Sequence, residues 1–594
     1  TNDSIAFLEN EIHNSFERSE HVTAIFLDLE KAYDTTWRYG ILKQLFEWGF
    51  KGNLPLFIKS FLSLRYFAVR INGKLSMLKV QENGIPQGST ISVTLFAIAI
   101  NSIVEQITGP VKKCLYVDDL VIFCSGKTIE RINENLQKTI NNLIGFSEAR
   151  GFKFSTTKTS SVHFCKKHRH EQPELRMRNV PIPYKDSVRY LGVYFDRKLT
   201  FRDHIGALAV EAKKRLNLIK CLSNIVWGSD REVLISLHEK LILSKMDYGC
   251  IVYSGAAKTN LRILDTINHT GIRYATGAFR TTPVHSLYCD AGIAPLQLRR
   301  KRILLNYIAE LRAKPKHITY ETFYDVIDSH LDVHQRRPPI MRSSAERARL
   351  WVENLDINLS SVCTIDLYKI PPWVIPEIKI KTDLMKYKKS ETNSIIYQET
   401  LKEALYSHHK PDVIYTDGSK TNDGVACAIY TNMQAQSWTL SKETSIVSAE
   451  LQAIWQALIY YINSNSSNTL IICTDSRSAI ERIQNVYTTD NMTYSIITLI
   501  NEISKDGKQI YLMWTPGHTG IGGNEKADKA AKEATKYCST LTQINVQDKK
   551  SYIKHLCIQE WQKLWSETRS HLKQIKHTVD KWYLPKELSR QEQI

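Results

Sequence analysis

The sequence predicts an α+β protein of several domains, and three observations lead there. Its 594 residues exceed what one hydrophobic core organises, so roughly three or four domains are expected. The N-terminal third reads as helix, strand, helix, hairpin and helix, the pattern of helices packed on one sheet. A later block reads as three consecutive strands followed by alternating helices and strands, which predicts a mixed sheet flanked by helices.

The first elements follow from apolar spacing. Ile5, Leu8, Ile12 and Phe16 recur at helical intervals, and Val22 to Leu29 is a β-rich apolar run that ends in an acid, Asp28. A helix is expected from about Trp37 to Trp48, closed by Gly49, and another over Leu95 to Ile107. Cys114 to Cys124 places Asp118 and Asp119 between two short apolar runs, a hairpin with both acids at its tip. A helix from Ile129 to Arg150 stops at Gly151, residues 188–201 form a second hairpin, and 205–313 is mostly helical. Residues 314–408, punctuated by Arg336-Arg337-Pro338-Pro339 and Pro371-Pro372, read as a connecting region.

The second block begins near Pro411. Strands are expected at 412–417, 424–430, 436–441, 469–475 and 509–514, a five-stranded mixed sheet, with helices at 446–462, 476–486, 494–504 and Glu525 to Tyr537. From 541 the chain is basic and helical, with Trp561, Trp565 and Trp582 as packing residues.

Composition narrows the function. Hydrophobic content of 43% and charged content of 24% are those of a soluble globular protein. Lys+Arg number 79 against 61 Asp+Glu, a net charge of +18, with a pI of about 9.2. That excess suggests a polyanionic partner, most often nucleic acid. Basic clusters at Lys166 to His170, Arg299 to Arg302 and Arg336 to Arg349 each read singly as solvated faces; their recurrence favours a long track. The 11 cysteines stand singly with no C-x-x-C pair, so they read as reduced thiols rather than a disulfide framework or a zinc knuckle. The longest apolar stretch, Val93 to Val104, is broken by Asn101 and Ser102 and is too short for a membrane span. The chain opens on Thr1 without an initiator Met and reads as a fragment of a longer protein.

Two sets of carboxylates carry the chemistry. Adjacent Asp118 and Asp119 repel each other unless a cation lies between them. An Asp-rich surface turn is the alternative. Asp28 also sits at a strand end, and three acids meeting on neighbouring strands could hold two Mg²⁺ ions. Two such ions about 3.5–4 Å apart clamp the attacking and leaving oxygens of an in-line phosphoryl transfer. Between them lies Asn83-Gly84-Ile85-Pro86-Gln87-Gly88-Ser89, whose small residues let backbone approach a flat ligand while Gln87 offers a donor and an acceptor. An ordinary helix-entry loop is the other reading of that segment.

The second set repeats the device. Asp417 and Asp475 end apolar runs, and Glu450 lies beside the small Ala449, Ala453 and Ala457 of a helix that can pack closely on a sheet. Trp514-Thr515-Pro516-Gly517-His518 leads to Asn524, a candidate N-cap, and Asp528 in the following helix.

Together these residues resemble known families. Phe26 to Asp34, Gly84 to Phe96, Tyr116 to Asp119, Phe154 to Thr159 and Tyr190-Leu191-Gly192 resemble, in order, motifs of a reverse transcriptase palm over about residues 1–200. The Gly-Ile-Pro-Gln-Gly-Ser form and Arg299-Arg300 look like the non-LTR retrotransposon group, similar to jockey and I-type elements. Val93-Thr94 stand where that group usually has Pro, and its front finger strands do not precede the motifs. Residues 411–537 resemble type 1 ribonuclease H.

The resemblance implies a palm with partial fingers over 1–165, a helical thumb over 166–313, the connecting region, a ribonuclease H domain over 409–540 and a basic tail. It implies that Asp28 and Asp118 are the main metal ligands, with the carbonyl of Leu29 and with Asp119 in support. Tyr33 would lie beneath the incoming sugar and exclude a 2′-hydroxyl. Gly84, Pro86, Gln87 and Gly88 would line nucleotide and template, and Lys158 is a candidate acid for pyrophosphate, a plain surface lysine being the other reading. Asp417, Glu450, Asp475 and Asp528 match the D-E-D-D metal set, and His518 the mobile histidine. The implied function is RNA-directed DNA synthesis coupled to degradation of the copied RNA, both with Mg²⁺ or Mn²⁺. Its partners would be an RNA template, a DNA primer, the RNA–DNA hybrid and deoxynucleoside triphosphates. The site of action would be nuclear, after cytoplasmic assembly on RNA, with no membrane partner. The alternative is a polymerase-dead remnant that binds nucleic acid or cleaves hybrids only.

Overall fold

The computed structural model describes all residues except 168–170, 329–341, 365–370, 376, 389–390, 409, 465–466, 486, 489, 584, 586–587 and 594. It divides into two compact units: residues 1–300, 322–349 and 565–594, and residues 301–321 with 350–564.

The first unit is built on a four-stranded antiparallel sheet. After helix α1 (Asn2–Glu17) come β1 (His21–Leu27), α2 (Arg38–Glu47), α3 (Asn53–Leu62), α4 (Thr90–Ile100), β2 (Lys112–Tyr116), β3 (Asp119–Gly126), α5 (Ile129–Arg150) and β4 (Ser160–Phe164). The strand order is β2–β3–β1–β4. Ile25, Leu27, Leu120 and Ile122 bury one face of the sheet in a core with Leu95, Phe96, Leu136 and Ile140 from the helices, which is the stripe that the 3.6-residue period places inward. The helical spacing of α1 fixes it likewise, with Ile5, Leu8 and Ile12 fully buried. Glu9 and Asn10 beside them hydrogen-bond to Ser344 and Ala345.

Three features of this unit differ from expectation. Helix α4 begins at Thr90, before Val93-Thr94, where the Ser92 hydroxyl donates to the Pro86 carbonyl at 2.6 Å. Strand β4 and helix α3 were not expected; β4 is uniformly buried, so it has no alternation for a period-2 search to find. Between α3 and α4 lie four two-residue strands, Tyr66–Phe67, Arg70–Ile71, Lys74–Leu75 and Lys79–Val80, all exposed. The second hairpin pairs β5 (Ser187–Tyr190) with β6 (Val193–Asp196), and helices dominate from Arg202 to Ile327.

The second unit contains a mixed sheet of six strands rather than five. Its strands are β7 (Lys379–Lys381), β8 (Asp412–Lys420), β9 (Val425–Thr431), β10 (Gln434–Leu440), β11 (Thr469–Thr474) and β12 (Gln509–Trp514), in the order β7–β12–β11–β8–β9–β10. The extra strand, β7, comes from the connecting region and pairs parallel with Tyr511–Met513. Three residues, two of them lysines, carry no strand signature, and the partner alone makes them one. Leu470 and Ile472 face one core and Ile471 and Cys473 another, as a strand covered on both sides requires. Helices α6 (Ile446–Asn463), α7 (Arg477–Gln484), α8 (Asn491–Lys505) and α9 (Gly522–Ala534) lie between and after these strands.

Among the described residues no helix is long and apolar enough to cross a membrane. The basic track expected from the clusters is reduced by internal pairing. Arg299 holds Asp247 through two bonds of 2.7 and 2.6 Å, Lys301 pairs with Glu560, and Arg347 is buried against Glu9. His168 to His170 and Arg336 to Met341 lie outside the described residues. Trp561 and Trp565 are buried, whereas Trp582 is 37% exposed with Lys576 over its ring. Trp582 is thus not the packing residue expected.

Candidate active sites

In the first unit, strand register sets the acids side by side. Leu27 pairs with Leu120, so the next positions, Asp28 and Asp119, are neighbours across β1 and β3. Tyr116 pairs with Asp119, leaving a two-residue turn of Val117 and Asp118. Val117 has a φ of 57°, a left-handed conformation that β-branched residues rarely adopt. Such strain persists only where the surroundings impose it, and it gathers at functional sites. Asp118 is exposed at the tip. Burial, then the charges of Asp118 and Asp28, raise the carboxyl of Asp119 above its ordinary range.

The segment after α5 wraps the end of β1. The Ser155 amide donates to the Asp28 carbonyl at 2.8 Å and the Glu30 amide to the Lys153 carbonyl at 2.8 Å, with Leu29 bridged to Phe154. Lys158 Nζ comes to 3.3 Å from Asp28 Oδ2. Asp28, Asp119, Lys158 and Tyr190 line one cleft of about 320 Å³.

The Gly84 loop is clamped to the segment that carries Tyr33. Gly84 and Ile85 donate their amides to the Thr36 and Tyr33 carbonyls, and Arg38 Nε donates to the Gly84 carbonyl at 2.7 Å. Gly84 has a φ of +81°, and a Cβ there would meet the Asp34 carbonyl oxygen at 2.5 Å, so the close approach requires glycine. Gln87 Nε2 donates to Asp34 Oδ1 at 3.1 Å. Gln87 and Gly88 are exposed and Pro86 is half-buried. Tyr33 stacks on Phe96 with centroids 4.9 Å apart, and burial followed by the charge of Asp118 raises its phenol. Tyr33 therefore lies within electrostatic reach of the hairpin tip. Arg38 lies outside the motifs and Phe96 closes one, and the supporting contacts of both were not foreseen.

In the second unit, Thr416 pairs with Thr474 across parallel β8 and β11, which sets Asp417 beside Asp475. Glu450 reaches them from α6, which approaches closely because Gly418 has no side chain: a Cβ there would lie 2.7 Å from the Glu450 amide nitrogen. Ligand oxygens of Asp417, Glu450 and Asp475 lie within 4.8 Å of one another. Asp417 Oδ2 and Glu450 Oε2 are buried without a hydrogen-bond partner. Burial, then Asp475 and Asp528, push Asp417 up to about 8. Glu450 is raised well above its usual range by burial and by Asp417, against a bond from the Gly418 amide. Buried, orphaned and mutually repelling carboxylate oxygens are what a divalent cation satisfies, so the residues fit a hard metal ion.

Asp528 projects from α9 and accepts from Lys532 Nζ at 2.7 Å. Burial and the charge of Asp528 raise Asp475, while His518 and a hydrogen bond from Asn524 act in the opposite sense. His518 is exposed in a left-handed conformation, φ 57°, next to Gly517, where a Cβ would meet Asp475 Oδ2 at 2.5 Å. Asn524 is not the N-cap: α9 starts at Gly522 after Ile521, and buried Asn524 accepts from the Thr515 hydroxyl at 3.3 Å. Its place in the first helical turn turns it toward Asp475.

Comparison with known proteins assigns families to two stretches of the chain. Residues 2–195 match the family described as reverse transcriptase (RNA-dependent DNA polymerase), and residues 409–536 match the RNase H family. The RNA-directed DNA polymerase from mobile element jockey of Drosophila melanogaster is 25% identical over 51% of this chain and 33% of its own length. The probable RNA-directed DNA polymerase from transposon X-element of the same species is 23% identical over 46% of this chain and 31% of its length. The chain spans about a third of these curated relatives. Ribonuclease H1 of Halobacterium salinarum is 17% identical, covering 21% of this chain and 96% of that structure, with a TM-score of 0.18.

Proposed function

We propose that this chain, with a reverse transcriptase domain of the non-LTR retrotransposon type followed by a ribonuclease H domain, copies RNA into DNA at the first centre and cleaves the RNA of the resulting hybrid at the second. The carrying observation is that acids gather within both matched domains: Asp28 and Asp119 are cross-strand neighbours beside the Asp118 turn, and Asp417, Glu450 and Asp475 bring ligand oxygens within 4.8 Å of one another.

Two Mg²⁺ ions at each cluster, with Mn²⁺ as a substitute, supply Lewis-acid stabilisation of the attacking and leaving oxygens. At the first centre Asp28, Asp118, Asp119 and the Leu29 carbonyl hold the ions. Tyr33, fixed by its stack on Phe96, sits under the deoxynucleotide sugar, and the Gly84–Gly88 backbone with Gln87 bounds the nucleotide and template. Lys158, 3.3 Å from Asp28 in the cleft that they line, gives a proton to the departing pyrophosphate. At the second centre Asp417, Glu450, Asp475 and Asp528 hold the ions, and exposed His518 moves a proton or assists product release. Selection of the hybrid rests on 2′-hydroxyl contacts and duplex shape. The work is done in the nucleus, on RNA bound in the cytoplasm.

A second reading, hybrid cleavage without synthesis, is favoured by one observation: the strands between Tyr66 and Val80 expose every residue, so no strand residue of that ribbon is buried to fix it over a nucleotide. Incubating the protein with Mg²⁺, deoxynucleoside triphosphates and a DNA primer on an RNA template decides between them. Primer extension supports the first reading; hybrid cleavage without extension supports the second.

A further inference from the structure

The first sheet carries another cluster of ligand-bearing side chains, at the end of β1 opposite Asp28. The antiparallel register of β1 and β4 sets Val22 opposite Phe164 and Thr23 opposite His163. One position further, His21 falls opposite Cys165, and His163 and Cys165, two residues apart, share a face. The ligand atoms of His21, His163 and Cys165 lie within 4.8 Å of one another, and His21 Nδ1 is 3.0 Å from His163 Nε2. Tetrahedral zinc, with Zn–N near 2.0 Å and Zn–S near 2.3 Å, separates such atoms by roughly 3.3–3.6 Å. The 3.0 Å between the two imidazole nitrogens is within a few tenths of an ångström of that spacing, and the 4.8 Å limit on the three atoms admits it.

Two further contacts point to a metal rather than to a histidine pair packed on a thiol. His163 Nδ1 lies 2.8 Å from the Glu171 carbonyl oxygen and donates to it, which turns the lone pair of Nε2 into the cluster. A ligating imidazole ordinarily has this support on its far nitrogen. The Lys167 amide donates to Cys165 Sγ at 3.4 Å, which holds the sulfur in place. Cys165 is itself pinned, its amide donating to the Arg197 carbonyl at 3.1 Å and its carbonyl accepting from Arg197 Nη1 at 3.2 Å. His163 and Cys165 are buried, while half-exposed His21 gives an ion a way in.

We propose that His21, His163 and Cys165 bind a zinc ion that clamps the start of β1 to the end of β4. Binding releases the Cys165 thiol proton and moves the His21 ring proton from Nδ1 to Nε2, so that both imidazoles present a lone pair. Because Asp28 follows the far end of β1, the clamp would support the polymerase centre without touching substrate.

Substituting Co²⁺ for Zn²⁺ in the full chain tests this, because only a thiolate ligand gives near-ultraviolet sulfur-to-cobalt charge transfer and neither carboxylate cluster holds a thiol. The band is expected in the wild type, in Asp118→Asn and in Asp417→Asn, and is expected to vanish in Cys165→Ser. Zn²⁺ affinity, read by competition with a chromophoric chelator, should fall about tenfold or more in His163→Gln and in His21→Gln. Zn²⁺ should also raise the thermal midpoint of the wild type but not of Cys165→Ser. No charge-transfer band in the wild type, or a band that survives in Cys165→Ser, overturns the proposal whether or not the histidine variants fold.

Discussion

Asp417 carries a charge problem at the second centre that pH can read. Its carboxyl is pushed from 3.8 to about 8 by burial, Asp475 and Asp528. A folded value above the unfolded one means that, without divalent ions, this group's contribution to stability is full below about pH 4 and is lost as pH rises toward 8. A cation among the acids favours the ionised form and removes that loss. The thermal midpoint of metal-free protein is therefore expected to fall across this range, less steeply in Asp417→Asn and less steeply with Mg²⁺; an identical slope in all three contradicts the assignment. At the first centre, Tyr33→Ala should raise ribonucleotide insertion relative to deoxyribonucleotide insertion, measured by primer extension with each nucleotide class. The acids were legible in the sequence because Asp28, Asp118, Asp417 and Asp475 follow apolar runs and the types recur in a recognisable order. Arg38, Phe96 and the true role of Asn524 were not, because their meaning lies in partners distant along the chain or in a helix start displaced by two or three residues.

Close approaches between elements set both centres. Gly84 lets its loop lie on the Asp34 backbone, and Gly418 lets α6 bring Glu450 to the sheet. Gly84→Ala should cost roughly 1–3 kcal/mol in stability and suppress primer extension while hybrid cleavage continues. Gly418→Ala should weaken hybrid cleavage at saturating Mg²⁺ and raise the Mg²⁺ concentration needed for half-maximal rate. Equal loss of both activities in either variant would mean general unfolding rather than local displacement, and circular dichroism distinguishes the cases. Long periodic elements such as α5 and α6 were legible from the sequence. Strand β7 was not: three residues with two lysines become a strand only because Tyr511–Met513 offers an edge. The exposed Tyr66–Val80 ribbon likewise has too few residues per strand for alternation to register.

At the scale of the molecule, the chain joins two carboxylate centres built by the same device: acids at the ends of paired strands, completed by residues from turns or helices. Each centre has its own sheet and core, so the two chemistries should be separable by single substitutions. The basic excess that suggested nucleic acid is partly consumed inside the fold, as Arg299, Lys301 and Arg347 demonstrate; overall charge pointed to the partner class without locating its track. The most direct test follows one duplex, a labelled DNA primer on a differently labelled RNA template, through extension and RNA cleavage together. Asp118→Asn is expected to abolish extension and leave cleavage of a preformed hybrid intact, and Asp475→Asn to do the reverse. Loss of both activities in either folded variant would contradict the account of two independent centres.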